Sequence, residues 1–184
     1  MKTIAVPSAD QVSDESRILF EQLKKRLGKV PNLYATMGYS SHALKGFLDF
    51  EAGLNGGQFS AKEREAIALV VSEVNQCAYC LAAHTVLATL RGFSKTETLD
   101  IRRGQASDAK LSAILQLAKS IAENKGHADA RVLNNFYEQG HAEAALMELT
   151  GLVAVRVYTN YVYALTAVPV DFPAAEALSS QNVL

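Results

Sequence analysis

Apolar and polar positions along the chain follow a helical period almost throughout. Val12, Ile18, Leu19, Leu23 and Leu27 fall near one face of a helix over residues 11–28, closed by Gly28. Val30-Pro31 breaks the chain, and Pro31 starts a short second helix. A third covers residues 41–54 and ends at Asn55-Gly56-Gly57, the clearest loop in the chain. Ser60-Ala-Lys-Glu63 is a capping box, with Ser as N-cap and Glu reaching back to it. A strongly apolar helix follows through Ile67, Leu69, Val70 and Val71, and Asn75 offers a break and a new N-cap before Cys77. The next helix runs to Arg91-Gly92, where Gly suits the position past the last turn. Ser94-Lys-Thr-Glu97 is a second capping box, opening a short helix that ends near Gly104. Helices over residues 108–125, 129–138 and 142–167 complete the series, and Pro169 and Pro173 stop the last one.

No stretch combines β-branched residues, period-two alternation and hairpin turns. The expected fold is therefore all-α, a single domain of about eight helices over residues 1–184. Residues 1–30 form a helical N-terminal extension, 31–170 the core and 171–184 a loosely ordered tail. Helix pairs pack around the long apolar stretches 60–92 and 142–167. The halves echo each other weakly, as a degenerate internal repeat would. Placing Glu65 on Glu148 puts Asn160 where Cys77 sits and Tyr163 where Cys80 sits.

Composition narrows the function. Hydrophobic residues make up 49% and charged residues 20% of the 184, a globular balance, and the net charge of −1 offers no nucleic-acid footprint. No apolar run reaches membrane-spanning length, and the N-terminus turns polar too soon for a signal peptide, so the expectation is a soluble cytoplasmic protein. The only two cysteines form one Cys-x-x-Cys, too close together to staple a domain of this size. In a reducing compartment such a pair is redox-active or metal-binding.

On a helix, Cys77 to Cys80 is i,i+3 and Cys80 to His84 is i,i+4, so the three side chains share a face. A thiolate is the reactive form of cysteine, and His84, one turn from Cys80, can take its proton or pair with the thiolate. Cys77 is close enough to resolve a sulfenic acid on Cys80 into a disulfide. A helix beginning at Asn75 would instead aim its N-terminal field at Cys77; the spacing of His84 favours Cys80 as attacker. A carboxylate would complete the relay. Glu73 lies one turn before Cys77, whereas Glu65 on an unbroken helix would be about 18 Å away and arrives only if the chain turns near Asn75.

Glu65, eleven intervening residues, Cys77-Ala-Tyr-Cys80, three more and His84 resemble the signature of the AhpD-like alkylhydroperoxidase and carboxymuconolactone decarboxylase family. Arg64-Glu65-Ala-Ile-Ala-Leu, His84-Thr85 and Arg91-Gly92-Phe-Ser fit the same pattern, and with the leading Val30-Pro31-Asn32 the resemblance covers roughly residues 30–170, on the branch called peroxidase-related. It implies an all-helical fold assembling as trimers or hexamers. It implies Cys80 as peroxidatic thiol, Cys77 as resolving thiol, and Glu65 with His84 as proton relay, Glu65 thus being favoured over Glu73. The substrate would be a small alkyl hydroperoxide and the reductant a lipoyl domain or small dithiol protein, with no organic cofactor and no metal. Relatives carry His between the cysteines where this chain has Tyr79; with its high pKa, Tyr is a poorer proton shuttle, so Tyr79 is an auxiliary candidate only.

Four other readings compete with this one. Zinc on Cys77, Cys80 and His84, with Glu73 or water as fourth ligand, lacks the second distant pair that structural sites recruit; His42, His127 and His141 lie in polar or helix-starting contexts. A lactone-acid decarboxylase could use His84 and Glu65 without the cysteines, and a redox sensor could use the pair without catalysis. A thioredoxin-type site would follow a strand, which this pattern lacks.

Overall fold

The computed structural model describes residues 4–178. After a short 3-10 turn at Ala9–Gln11 the described residues form nine α-helices: α1 Asp14–Leu27, α2 Asn32–Met37, α3 Ser41–Asn55, α4 Ala61–Val74, α5 Ala78–Leu90, α6 Lys95–Arg103, α7 Ala109–Glu123, α8 Ala130–Glu138 and α9 Glu143–Thr166. The all-α fold is as the periodicity predicts, each helix lying on a segment that the pattern marks. Both capping boxes form, Ser60 with Glu63 on α4 and Ser94 with Glu97 on α6.

α4 is the central element. Its run Ala66–Val71 is buried on every side, as expected of a helix apolar all round. It packs against α5, α6, α7 and α9. The main core joins Ile67, Leu69 and Val70 of α4 to Ile114, Leu115 and Leu117 of α7 and Leu149, Leu152 and Val153 of α9, with Phe136 of α8. A second cluster holds α1 and α3 through Phe20, Leu23, Leu44 and Phe47, with Val155 of α9. A third surrounds the cysteine pair.

Three expectations need correction. The stretch 60–92 is two helices folded back on each other, because α4 ends at its C-cap Asn75 and α5 starts from Cys77. Asn75 is thus the end of one helix and not the N-cap of the next. Where the first half reverses between α4 and α5, the aligned segment of the second half does not: α9 continues unbroken through Asn160 and Tyr163. The tail is not loose over residues 171–178: Asp171 bonds Lys29 and Tyr79, Glu176 bonds Arg102 and Lys95, and Ala175 packs on the main core. Residues 179–184 lie outside the described residues.

Candidate functional site

The turn between α4 and α5 assembles the site. Gln76 adopts the left-handed conformation (φ 52°), its N–H donates to Glu73 O at 3.0 Å, and the Cys77 N–H donates to Ser72 O at 2.9 Å. These bonds close α4 and redirect the chain within two residues. Cys77 then serves as N-cap of α5, its Sγ accepting the Cys80 N–H at 3.3 Å. Because α5 folds back along α4, Glu65 meets a residue nineteen positions later: Glu65 Oε2 lies 2.7 Å from His84 Nδ1. The geometric obstacle to Glu65 is removed by the turn that the sequence required.

Both cysteines are free thiols, 2% and 3% exposed. Leu33, Tyr79 and Val168 pack around them, with Tyr163 and Phe172 at the margin. The two thiols differ in acidity. Cys80 is lowered from 9.0 to about 7; the hydrogen bond from the Cys77 thiol is the largest cause and acts against burial, with smaller lowering influences from His84, Asn160 and Thr159. Cys77 is pushed up, first because its S–H is held as hydrogen-bond donor to Cys80, then by burial. The α5 amide does favour a thiolate on Cys77, as the helix field predicts, but that effect is the smaller one. Cys77 accepts the amide while donating S–H to Cys80, so the pair carries one thiolate, on Cys80.

Glu65 is ionised. Burial, the largest influence, would raise its carboxyl, but the His84 hydrogen bond and the charges of His84, Arg156 and Arg91 outweigh it and hold it below the ordinary value. The second ring nitrogen of His84, Nε2, faces Arg156 Nη1 at 3.3 Å, and Arg156 Nη2 is bonded to Glu51 of α3. Both His84 nitrogens are therefore occupied, and neither bonds to Cys80, in contrast to the direct proton acceptance that the i,i+4 spacing predicts.

The auxiliary candidates are placed elsewhere. Glu73 is bonded to Arg102 Nε of α6 at 2.7 Å. The Tyr79 hydroxyl donates to Asp171 Oδ1 at 2.5 Å and accepts the Leu33 N–H at 3.2 Å. Burial first, and the bond to Asp171 second, keep it a phenol. Tyr79 ties the segment after α9 to the start of α2 and reaches no group of the relay. Among the described residues no three His, Cys, Asp or Glu side chains are placed to hold a metal ion, so the zinc arrangement is not formed. No helix of the described residues is long and apolar enough to cross a membrane.

Sequence reasoning missed Arg156, Glu51, Asn160 and Asp171. Asn160 bonds Asn75 at 2.9 Å and Ser72 at 3.3 Å, fastening α9 to the α4–α5 turn. Arg156 did leave a signal: it is the only charged residue between Leu149 and Val170. A charge inside an apolar helix is buried only with a partner.

Residues 42–123 match the model of the Carboxymuconolactone decarboxylase family. Among solved structures, the debrominase Bmp8, as a cysteine-to-alanine variant in complex with 2,3,4-tribromopyrrole, is similar with a TM-score of 0.78 at 19% identity, over 93% of each chain. An uncharacterized peroxidase-related protein from Silicibacter sp. TM1040 gives 0.76 at 24% identity, over 96% of this chain and 93% of that one. A peroxidase-related protein from Ralstonia eutropha JMP134, described as an alkylhydroperoxidase AhpD core, gives 0.77 at 19% identity, over 87% of each. No curated protein matches the chain significantly in sequence. At these identities the structural likeness is one of fold.

Proposed function

We propose that the chain, whose segment 42–123 matches the carboxymuconolactone decarboxylase family model and whose fold resembles that of an AhpD core, acts as a dithiol peroxidase on alkyl hydroperoxides, in antioxidant defence in the cytoplasm. One observation carries the reading: a buried Cys77–Cys80 pair at the start of α5, with Cys77 Sγ on the Cys80 amide, stands on the same helix as a His84 clamped to Glu65.

Cys80 passes its proton to the Glu65–His84 relay and, as thiolate, attacks the distal oxygen of ROOH. The O–O bond breaks, and the departing alkoxide takes a proton from the Glu65–His84 relay to leave as ROH. Cys80 is now a sulfenic acid. The Cys77 sulfur loses its proton to the relay and attacks it; the relay returns that proton to the departing hydroxide, which leaves as water, and the Cys77–Cys80 disulfide forms. The peroxide gains two electrons and the pair loses two. A reduced dithiol, on a lipoyl domain or small thiol protein, exchanges with the disulfide and restores both thiols. By family analogy the working form is a trimer or hexamer, and no metal or organic cofactor enters the cycle.

The test is to mix reduced protein with one equivalent of cumene hydroperoxide and count free thiols for wild type, Cys77→Ser and Cys80→Ser. Wild type is expected to lose both thiols quickly, Cys77→Ser to accumulate a sulfenic acid, and Cys80→Ser to be inert. Thiol loss no faster than that of free cysteine sinks the peroxidase reading. A tribromopyrrole is the next substrate to try, since reductive loss of bromide would draw the same two electrons from the pair. A lactone acid, with the pair replaced by serines, tests the decarboxylase alternative, and a slow reversible disulfide without turnover would mark a redox sensor.

A further inference from the structure

Arg156 takes no part in the thiol chemistry above, yet it is a 7%-exposed charge pressed against the relay. It comes from α9, Glu51 comes from α3, Glu65 from α4 and His84 from α5, so four helices converge on one imidazole. A guanidinium carries only donors. With Arg156 Nη1 3.3 Å from His84 Nε2, that nitrogen must be the acceptor. The ring proton then sits on Nδ1 and is donated to the ionised Glu65 at 2.7 Å. The tautomer follows from the partners, as it must where hydrogens are not seen.

We propose that Arg156, anchored by Glu51, is a positioning residue that holds His84 as the neutral Nδ1–H tautomer, with Nε2 unprotonated and reserved for the proton arriving from thiol or substrate. The charge count argues the other way: Glu51 and Glu65 face one guanidinium, and a protonated His84 would bring the cluster to neutrality. Geometry decides between them. A proton on Nε2 would set an imidazole N–H against a guanidinium N–H at 3.3 Å inside a buried site, leaving neither donor satisfied. The lowered pKa of Cys80 does not hinge on a charged His84, because the Cys77 hydrogen bond is its largest cause.

The spectroscopic part of the test stands apart from the peroxidase reading; only its rate part rests on it. Full-length protein labelled with 15N histidine is examined at pH 7 by long-range 1H–15N correlation, the His84 signals being those absent from His84→Gln among the four histidines. The expected pattern is a protonated Nδ1 and an unprotonated Nε2. An Nε2–H tautomer, or a ring protonated on both nitrogens, overturns the proposal. Arg156→Met should abolish the fixed pattern and slow peroxide-driven thiol loss up to about 100-fold through misplacement of the base. Arg156→Lys, which keeps a cationic donor, should recover part of both. Because Arg156→Met strands Glu51 without its partner, Glu51→Gln/Arg156→Met is measured beside it. A folded Met variant with the wild-type pattern removes Arg156 from the role. If wild-type thiols ignore the peroxide, the dithiol reading falls while the spectrum still judges Arg156.

Discussion

The two sulfurs have nearly the same burial and opposite acidities, and the difference lies in who donates to whom. Cys77 donates an S–H hydrogen bond to Cys80 and accepts the Cys80 amide in return. Reactivity follows the thiolate fraction. The wild-type rate with peroxide or iodoacetamide should therefore rise with pH as one group deprotonates near pH 7 and level off above it, falling as acid protonates Cys80. Cys77→Ala removes the largest lowering influence, so the midpoint of the thiolate absorbance at 240 nm should move upward, whereas Cys77→Ser, which keeps a donor, should move it less. A midpoint unchanged by Cys77→Ala would mean that the His84, Asn160 and Thr159 contributions suffice, and the donor role of Cys77 would be withdrawn.

At the scale of elements, the segment after α9 is a strap across the pair. Val168 packs on the cysteines, Phe172 lies edge-on to Tyr79 with centroids 5.6 Å apart, and Asp171 joins Tyr79 to Lys29. Tyr79→Phe deletes two bonds at once and leaves the Leu33 N–H without its partner, a cost of about 1–3 kcal/mol. The strap should loosen, so iodoacetamide should alkylate the thiols several-fold faster than in wild type at equal pH. A lower Tm with an unchanged alkylation rate would show that the strap supports the fold without gating the pair. The strap was illegible in the sequence because Pro169 and Pro173 signal only that a helix stops, not that the chain beyond is bonded 142 residues back to Lys29. The helices were legible because period and capping boxes are local. Glu65 and His84 were legible as partners only through the family signature and not from local spacing, since their meeting depends on a left-handed Gln76, which the preceding Asn75 announces only as a break. Glu73 was favoured by spacing alone and lost to Arg102, a partner 29 residues away.

At the scale of the molecule, α9 is the member common to all layers. Leu149 and Val153 sit in the main core, Val155 in the cluster of α1 and α3, and Val162 and Tyr163 beside the cysteines. The same helix carries Arg156 to His84 and Asn160 to the α4–α5 turn. A cavity in α9 should accordingly weaken every layer together. Leu149 is fully buried, and Leu149→Ala should cost about 2–5 kcal/mol, lowering Tm by roughly 2–4 °C per kcal/mol for a chain of this size. Thiol exposure to a colorimetric disulfide reagent and loss of helical circular dichroism should follow one coincident transition, as two-state unfolding requires. Thiols that appear before helicity falls would show instead that the layer around Cys77 and Cys80 opens by itself, with α9 binding the two larger clusters but not the third.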